Sequence, residues 1–258
     1  MKYKLYNPSN GVMNVAGFMS GSGSNLIKII EREKELKKEK GKSPYQMKVI
    51  FSDTYDSNAT KIGKEFDIPI ITRDIKSFYK HRNKSRRDMQ VREEFDLETI
   101  KALQPFEISV IAYGGYMSIV SPYLASEYLG INVHPADLSI LDEKGARKFV
   151  GDNAVWDAIV AEEDNVRSST HIIEPKVDGG RILMISEPLK LERNIIGSYE
   201  GTDKEYLTKL NQNKLKEIGD WVIFPKTIRD IAEGKFEMNH LGNLYYEGEL
   251  IPNGLKLN

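Results

Sequence analysis

The sequence predicts an α/β protein built on a mostly parallel sheet with helices on both faces. Three observations predict it. Short apolar runs alternate along the chain with helically spaced apolar residues, as a parallel sheet with crossover helices requires. The first apolar run leads through a glycine turn into a helix, the arrangement found where such sheets bind ligands. The length of 258 residues and the 40% apolar content suit one large domain with an ordinary core.

The elements follow in order. Residues 12–19 are apolar and β-prone, and Gly21, Ser22, Gly23, Ser24 and Asn25 come next. Leu26, Ile29 and Ile30 then recur at helical spacing in a segment that becomes charged and ends near Gly41. Residues 48–52 form a second strand and 58–66 its crossover helix. Residues 69–72 form a third strand, and 86–103 a helix with Val91, Phe95 and Ile100 or Leu103 near one face. Residues 108–112 and 130–134 are the fourth and fifth strands, followed by a helix over 153–161. Residues 170–174 and 181–185 read as strands joined across Asp178-Gly179-Gly180. Residues 204–233 read as a helix interrupted near Pro225, because an interior proline removes a hydrogen bond and kinks the helix. Residues 243–257 read as a possible hairpin. The basic stretch 78–87 and the mixed-charge stretch 139–149 read as solvated loop insertions. The expected organisation is a catalytic domain over 1–236 and a C-terminal extension over 237–258.

Composition narrows the function. A formal net charge of -1 offers no basic field for nucleic acid. The lack of cysteine excludes disulfides, thiolate metal sites and a cysteine nucleophile. His81, His134, His171 and His240 have no close ligand-pair spacing, so no metal is expected. The first residues, MKYKLYNPSNG, lack the apolar segment of a signal peptide, and no run approaches membrane-spanning length. A cytoplasmic protein is expected.

Two constellations carry chemistry. The glycine turn at 21–25 directs backbone N–H groups and a positive helix end toward one point, which suits an anion such as phosphate, although Gly-Ser-Gly-Ser is equally a common flexible turn. It lacks the lysine of a nucleoside-triphosphate loop. Asp53, ending the second strand, invites a dinucleotide reading that the glycine spacing does not fit. In the second constellation, Asn132 and His134 stand two apart on a strand and so share a face. Asp178 lies in a turn that can return a carboxylate over that face. An amide donor, an imidazole and a carboxylate suit acyl transfer to an amine: Asn132 and protonated His134 stabilise the carbonyl oxygen, His134 moves protons, and Asp178 orients the imidazole and favours its charged form. The residues alone favour a structural histidine and an ordinary Asp-Gly-Gly turn over this constellation.

Four motifs in sequence, SGSGSNL at 20–26, GYMSIVSP at 115–122, INVHP at 131–135 and VDGG at 177–180, resemble the folate-dependent formyltransferases, especially their glycinamide ribonucleotide transformylase branch. The resemblance spans residues 12–184 and, more weakly, 221–236. It implies a Rossmann-like formyltransferase fold with 10-formyltetrahydrofolate as co-substrate. The implied reaction moves a formyl group to the amine of a small phosphorylated acceptor, with glycinamide ribonucleotide, a purine precursor, the first candidate. By motif position Asn132, His134 and Asp178 are implied catalytic, and Gly23, Ser24 and Asn25 grip the substrate phosphate. Met117, Ser118, Ile119 and Val120 face the pterin, while Ile173, Glu174, Pro175, Lys176, Val177 and Asp178 close over the folate. Arg87 lies near its glutamate end, Glu217 and Asp220 hold the acceptor, and His171 is supporting.

The departures are equally concrete. Ala136-Asp137-Leu138-Ser139 replaces the family's serine, two leucines and proline, and the loop to Gly151 is longer. Ser118 stands where arginine is common, and Glu217 and Asp220 where glutamine and glutamate are. These keep other acceptors open, such as a nucleotide-linked amino sugar, or water in a hydrolase. A reading of another class, a folate or nucleotide binder without catalysis, also stays open. The expected partners are small molecules, neither nucleic acid nor membrane, with the chain a monomer or homodimer.

Overall fold

The computed structural model describes residues 1–193 and 203–257. In chain order the elements are β1 (Lys2–Lys4), β2 (Met13–Met19), α1 (Ser24–Lys40), β3 (Tyr45–Ser52), α2 (Ala59–Phe66), β4 (Ile70–Thr72), α3 (Ile75–His81), α4 (Met89–Leu103), β5 (Val110–Tyr113), α5 (Pro122–Glu127) and β6 (Leu129–His134). They continue with α6 (Ala154–Val160), β7 (Asn165–Val166), β8 (Ser169–Ile172), β9 (Ile182–Ile185), β10 (Leu189–Lys190), α7 (Asp203–Leu215), α8 (Trp221–Ala232), β11 (Phe236–Asn239), β12 (Leu244–Tyr246), β13 (Glu249–Leu250) and β14 (Leu255–Lys256).

Eight strands form the main sheet in the order β14-β9-β8-β6-β5-β2-β3-β4. From β6 to β4 every pairing is parallel, whereas β8 runs antiparallel to both β6 and β9. Chain order reverses between β2 and β5, so the loops leaving these neighbours diverge and open a crevice at their carboxyl ends.

Alternation along the strands supplies two cores. Met13, Val15 and Met19 of β2 face Leu26, Ile29 and Ile30 of α1 and Ile223, Phe224 and Ile228 of α8. Ala16 and Phe18 face the other way, onto Phe78 and Tyr79 of α3, Val91 and Phe95 of α4 and Leu124 of α5. A smaller cluster joins Ala136 and Phe149 to α6 and α7. No described helix is long and apolar enough to cross a membrane.

Three expectations are corrected. Residues 75–81 form α3 rather than part of a loop, capped by Asp74 through the Ser77 N–H at 2.6 Å; the basic stretch hides Phe78 and Tyr79 beneath its charges. Pro225 sits inside α8 without interrupting it. The interruption comes earlier, as a wide π-type turn at Lys216–Asp220 between α7 and α8. In the tail, β12 and β13 pair as a hairpin, β11 joins it to β1, and β14 instead adds in parallel to β9 of the main sheet.

Candidate active site

Ile131 and Val133 of β6 point into the core. Asn132 and His134 therefore share the opposite face, where they line a cavity of about 560 Å³. That volume is typical of a small-molecule site. Antiparallel pairing sets His171 of β8 opposite Asn132, and Asn132 Nδ2 lies 3.1 Å from His171 Nε2. His171 Nδ1 is 2.9 Å from the Ile172 carbonyl. A carbonyl only accepts, so Nδ1 carries a ring proton, and Nε2 stands between the Asn132 amide and the Asp178 carboxylate. Asn132 keeps a second N–H for a ligand.

Asp178 occupies the turn between β8 and β9 with φ 48°. Its Oδ2 accepts the Gly151 N–H at 2.8 Å and lies 3.5 Å from His134 Nδ1, and its Oδ1 lies 3.5 Å from His171 Nε2. Burial alone would raise this carboxyl. The His171 imidazole, the His134 ring and the Gly151 N–H outweigh it and bring Asp178 down to about 2. His134 Nε2 donates to the Phe149 carbonyl at 3.0 Å, which leaves Nδ1 basic and facing the carboxylate. The sequence reading had Asp178 favouring a charged His134. Asp178 does pull that way, but burial pulls harder and holds the imidazole below its ordinary range. The resting histidine is neutral.

The glycine turn joins β2 to α1. Gly23 has φ 70°, and no side chain caps the helix it begins. The N–H groups of Ser24 and Asn25 precede the first bond of the helix, from Ile27 N–H to the Gly23 carbonyl, so they are free to meet an anion. A Cβ at Gly23 would come within 2.5 Å of Ile62 Cδ1. Of these three residues only Asn25 lines the cavity. Its Nδ2 donates to Asp220 Oδ2 at 3.3 Å, and its Oδ1 is buried without a partner.

Asp220 closes the wide turn. Ser168 Oγ donates to its Oδ1 at 2.5 Å. Burial pushes this carboxyl up, against the bonds from Ser168 and Asn25. Gln212 and Lys216 line the cavity beside it. The sequence reading passed over both, although spacings of four from Gln212 to Lys216 to Asp220 mark one helical stripe. Glu217, expected there, is exposed and outside the cavity, because one helical step rotates a side chain about 100° away from its neighbour.

At the other end Met117, Ser118, Ile119 and Val120 face Ile173, Glu174, Pro175, Lys176 and Val177 across the cavity. Met117, Ile119 and Val177 are 66%, 57% and 59% exposed, an apolar rim suited to a flat ring system. Beneath them Arg92 Nη2 donates to Tyr116 Oη at 2.9 Å and to Asp96 Oδ1 at 2.6 Å, while Asp96 Oδ2 accepts the Ser121 N–H at 2.7 Å. Arg87, expected near this end, is exposed outside the cavity. It precedes α4, and the arginine that α4 turns inward is Arg92. Asp53 accepts from Ser20 Oγ at 2.6 Å and from Ser118 Oγ. Bonded through both oxygens, it ties the glycine turn to the 117–118 segment and does not line the cavity. The 139–149 stretch also departs from its reading as solvated: Phe149 is buried and Arg147 reaches the Asp178 turn.

The family model described as formyl transferase matches residues 13–200. Phosphoribosylglycinamide formyltransferase of Escherichia coli (strain K12) is 24% identical over 242 residues, covering 93% of this chain and 96% of its own. Two solved structures share the fold, both 19% identical. Phosphoribosylglycinamide formyltransferase from Coxiella burnetii has a TM-score of 0.71 and coverage of 96% of this chain and 100% of that one. The structure of that name from Anaplasma phagocytophilum has 0.70, 95% and 98%.

Proposed function

The chain belongs to the formyl transferase family, and from that premise we propose that it transfers a formyl group from 10-formyltetrahydrofolate to the amine of a small phosphorylated acceptor, glycinamide ribonucleotide in purine biosynthesis. The observation that carries this is the convergence of Asn132, His134 and Asp178 on one cavity between an uncapped helix end and an apolar rim. The co-substrate supplies a formyl carbonyl held on nitrogen. The acceptor phosphate lies against the N–H groups of Ser24 and Asn25, and Asp220 with Lys216 holds its amide end. The pterin rests between Met117–Val120 and Ile173–Val177. Asn132 gives its second amide N–H to the formyl oxygen, where negative charge develops. His134 takes the proton of the attacking amine at Nδ1, and Asp178 offsets the imidazolium so formed. The same proton then serves the departing nitrogen.

Folded protein given 10-formyltetrahydrofolate and glycinamide ribonucleotide releases tetrahydrofolate only when both are present. Release with water alone indicates a hydrolase, and no release with either rejects this acceptor.

A further inference from the structure

The loop between β6 and α6 forms a small frame of its own. The Asp142 N–H donates to the Ala146 carbonyl at 2.7 Å and the Lys148 N–H to the Ile140 carbonyl at 3.0 Å, and Leu141 bridges Arg147. The Phe149 ring anchors the frame, 3% exposed among Ala136, Ala154 and Val155.

Three contacts run from this frame to the reaction centre. Arg147 donates through Nη1 to the carbonyl of Asp178 and through Nη2 to that of Gly180 at 2.6 Å. Two residues on, the Phe149 carbonyl receives His134 Nε2. Beyond it, the Gly151 N–H meets the Asp178 carboxylate. Arg147 itself lines a smaller cavity with Gly179 and Arg181 and not the reaction cavity. It binds backbone and reaches no reacting atom.

The Asp178 turn needs such a hold. Its left-handed φ of 48° carries a cost for a residue with a Cβ, smaller for aspartate than for most, so contacts that hold the turn count. Within the turn, the Gly179 N–H to Lys176 carbonyl bond at 2.9 Å is a modest local restraint. A guanidinium fork spanning the carbonyls of 178 and 180 fixes both ends of the Asp178-Gly179-Gly180 segment at once.

We propose that Arg147 is a positioning residue: by clamping the Asp178 and Gly180 carbonyls it sets the carboxylate near His134 Nδ1, and by seating the Phe149 carbonyl it holds the ring proton of the neutral imidazole on Nε2. Its kinetic consequence rests on the formyl-transfer reading; its structural consequence does not.

The test therefore has two arms. Nitrogen-15 spectra of labelled, ligand-free protein report which His134 nitrogen carries the proton. Wild type and Lys148→Ala, which removes the pair with Glu163 and the cation over the outer face of the Phe149 ring but no contact to the Asp178 turn, show the Nε2–H form. Arg147→Ala shows a mixture of both tautomers, and Arg147→Lys, able to reach one carbonyl, falls between. In turnover, Arg147→Ala lowers kcat about 10- to 100-fold, the scale of lost supporting contacts around a reactive group, with KM for both substrates within about twofold. Unchanged tautomer and unchanged kcat in a folded Arg147→Ala overturn the proposal. If that variant does not fold, Arg147→Lys decides by the same spectrum. Absence of formyl transfer in wild type rejects the reaction while the spectra still judge the clamp.

Discussion

At His134 two forces oppose each other. Burial disfavours the imidazolium, and the Asp178 carboxylate 3.5 Å away favours it. Burial wins, so the folded value lies below the ordinary 6.5. The unfolded chain then binds the proton more readily, and the stability gained by a neutral His134 is lost as pH falls from about 6.5 through the folded value. Asp178 behaves alike in a lower window: its folded value of about 2 lies below 3.8, so its contribution is full above that value and lost as pH falls toward 2. In an NMR titration the His134 midpoint falls below 6.5. It falls further in Asp178→Asn, which removes the charge that was raising it. A midpoint above 6.5, or an upward move in that variant, contradicts the balance. That Asn132, His134 and Asp178 meet was implied by the order of the motifs they stand in, through the family resemblance, since their spacing alone favours a structural histidine. Arg147 was not, since its partners are backbone carbonyls, which leave no mark in the side-chain pattern.

Among the elements, α4 supports the loop that carries the apolar rim. Arg92 is 3% exposed and Asp96 fully buried, and between them they hold Tyr116 Oη and the Ser121 N–H. Arg92→Met leaves a buried carboxylate without its cation, which costs about 3 kcal/mol. It also frees the 116–121 segment. Urea denaturation therefore shows a clear loss of stability, and KM for the folate rises more than KM for the acceptor. Wild-type stability in that variant contradicts this role. Strands β1, β7 and β10 were too short and too polar to read, whereas strands β2 to β6, β8 and β9 and helices α1, α2 and α4 were legible from short apolar runs and helical repeats. α3 was not, because Lys80, His81 and Arg82 mask the two aromatics it buries. The interruption at 216–220 was misplaced onto Pro225, which stands at the fifth position of α8 while the helix runs on through it at the cost of one backbone hydrogen bond.

For the whole molecule, the decisive feature is where the sheet changes direction. Parallel strands β2 and β5 open the crevice, and antiparallel β8 closes it from the far side by bringing His171 beside Asn132 and returning the chain through Asp178. β14 covers the edge of β9, which otherwise presents unpaired backbone groups. Alternating elements told of the parallel half. The pairing of β14 is set by contacts between distant segments, which a reading along the chain does not contain. The central claim is that this junction performs formyl transfer through His134. Mass-spectrometric detection of formylated glycinamide ribonucleotide, with wild type and His134→Ala side by side, tests it most directly. Product from wild type and a rate at least about a hundredfold lower from a folded His134→Ala are predicted. No product from wild type, or equal rates from both, would contradict it.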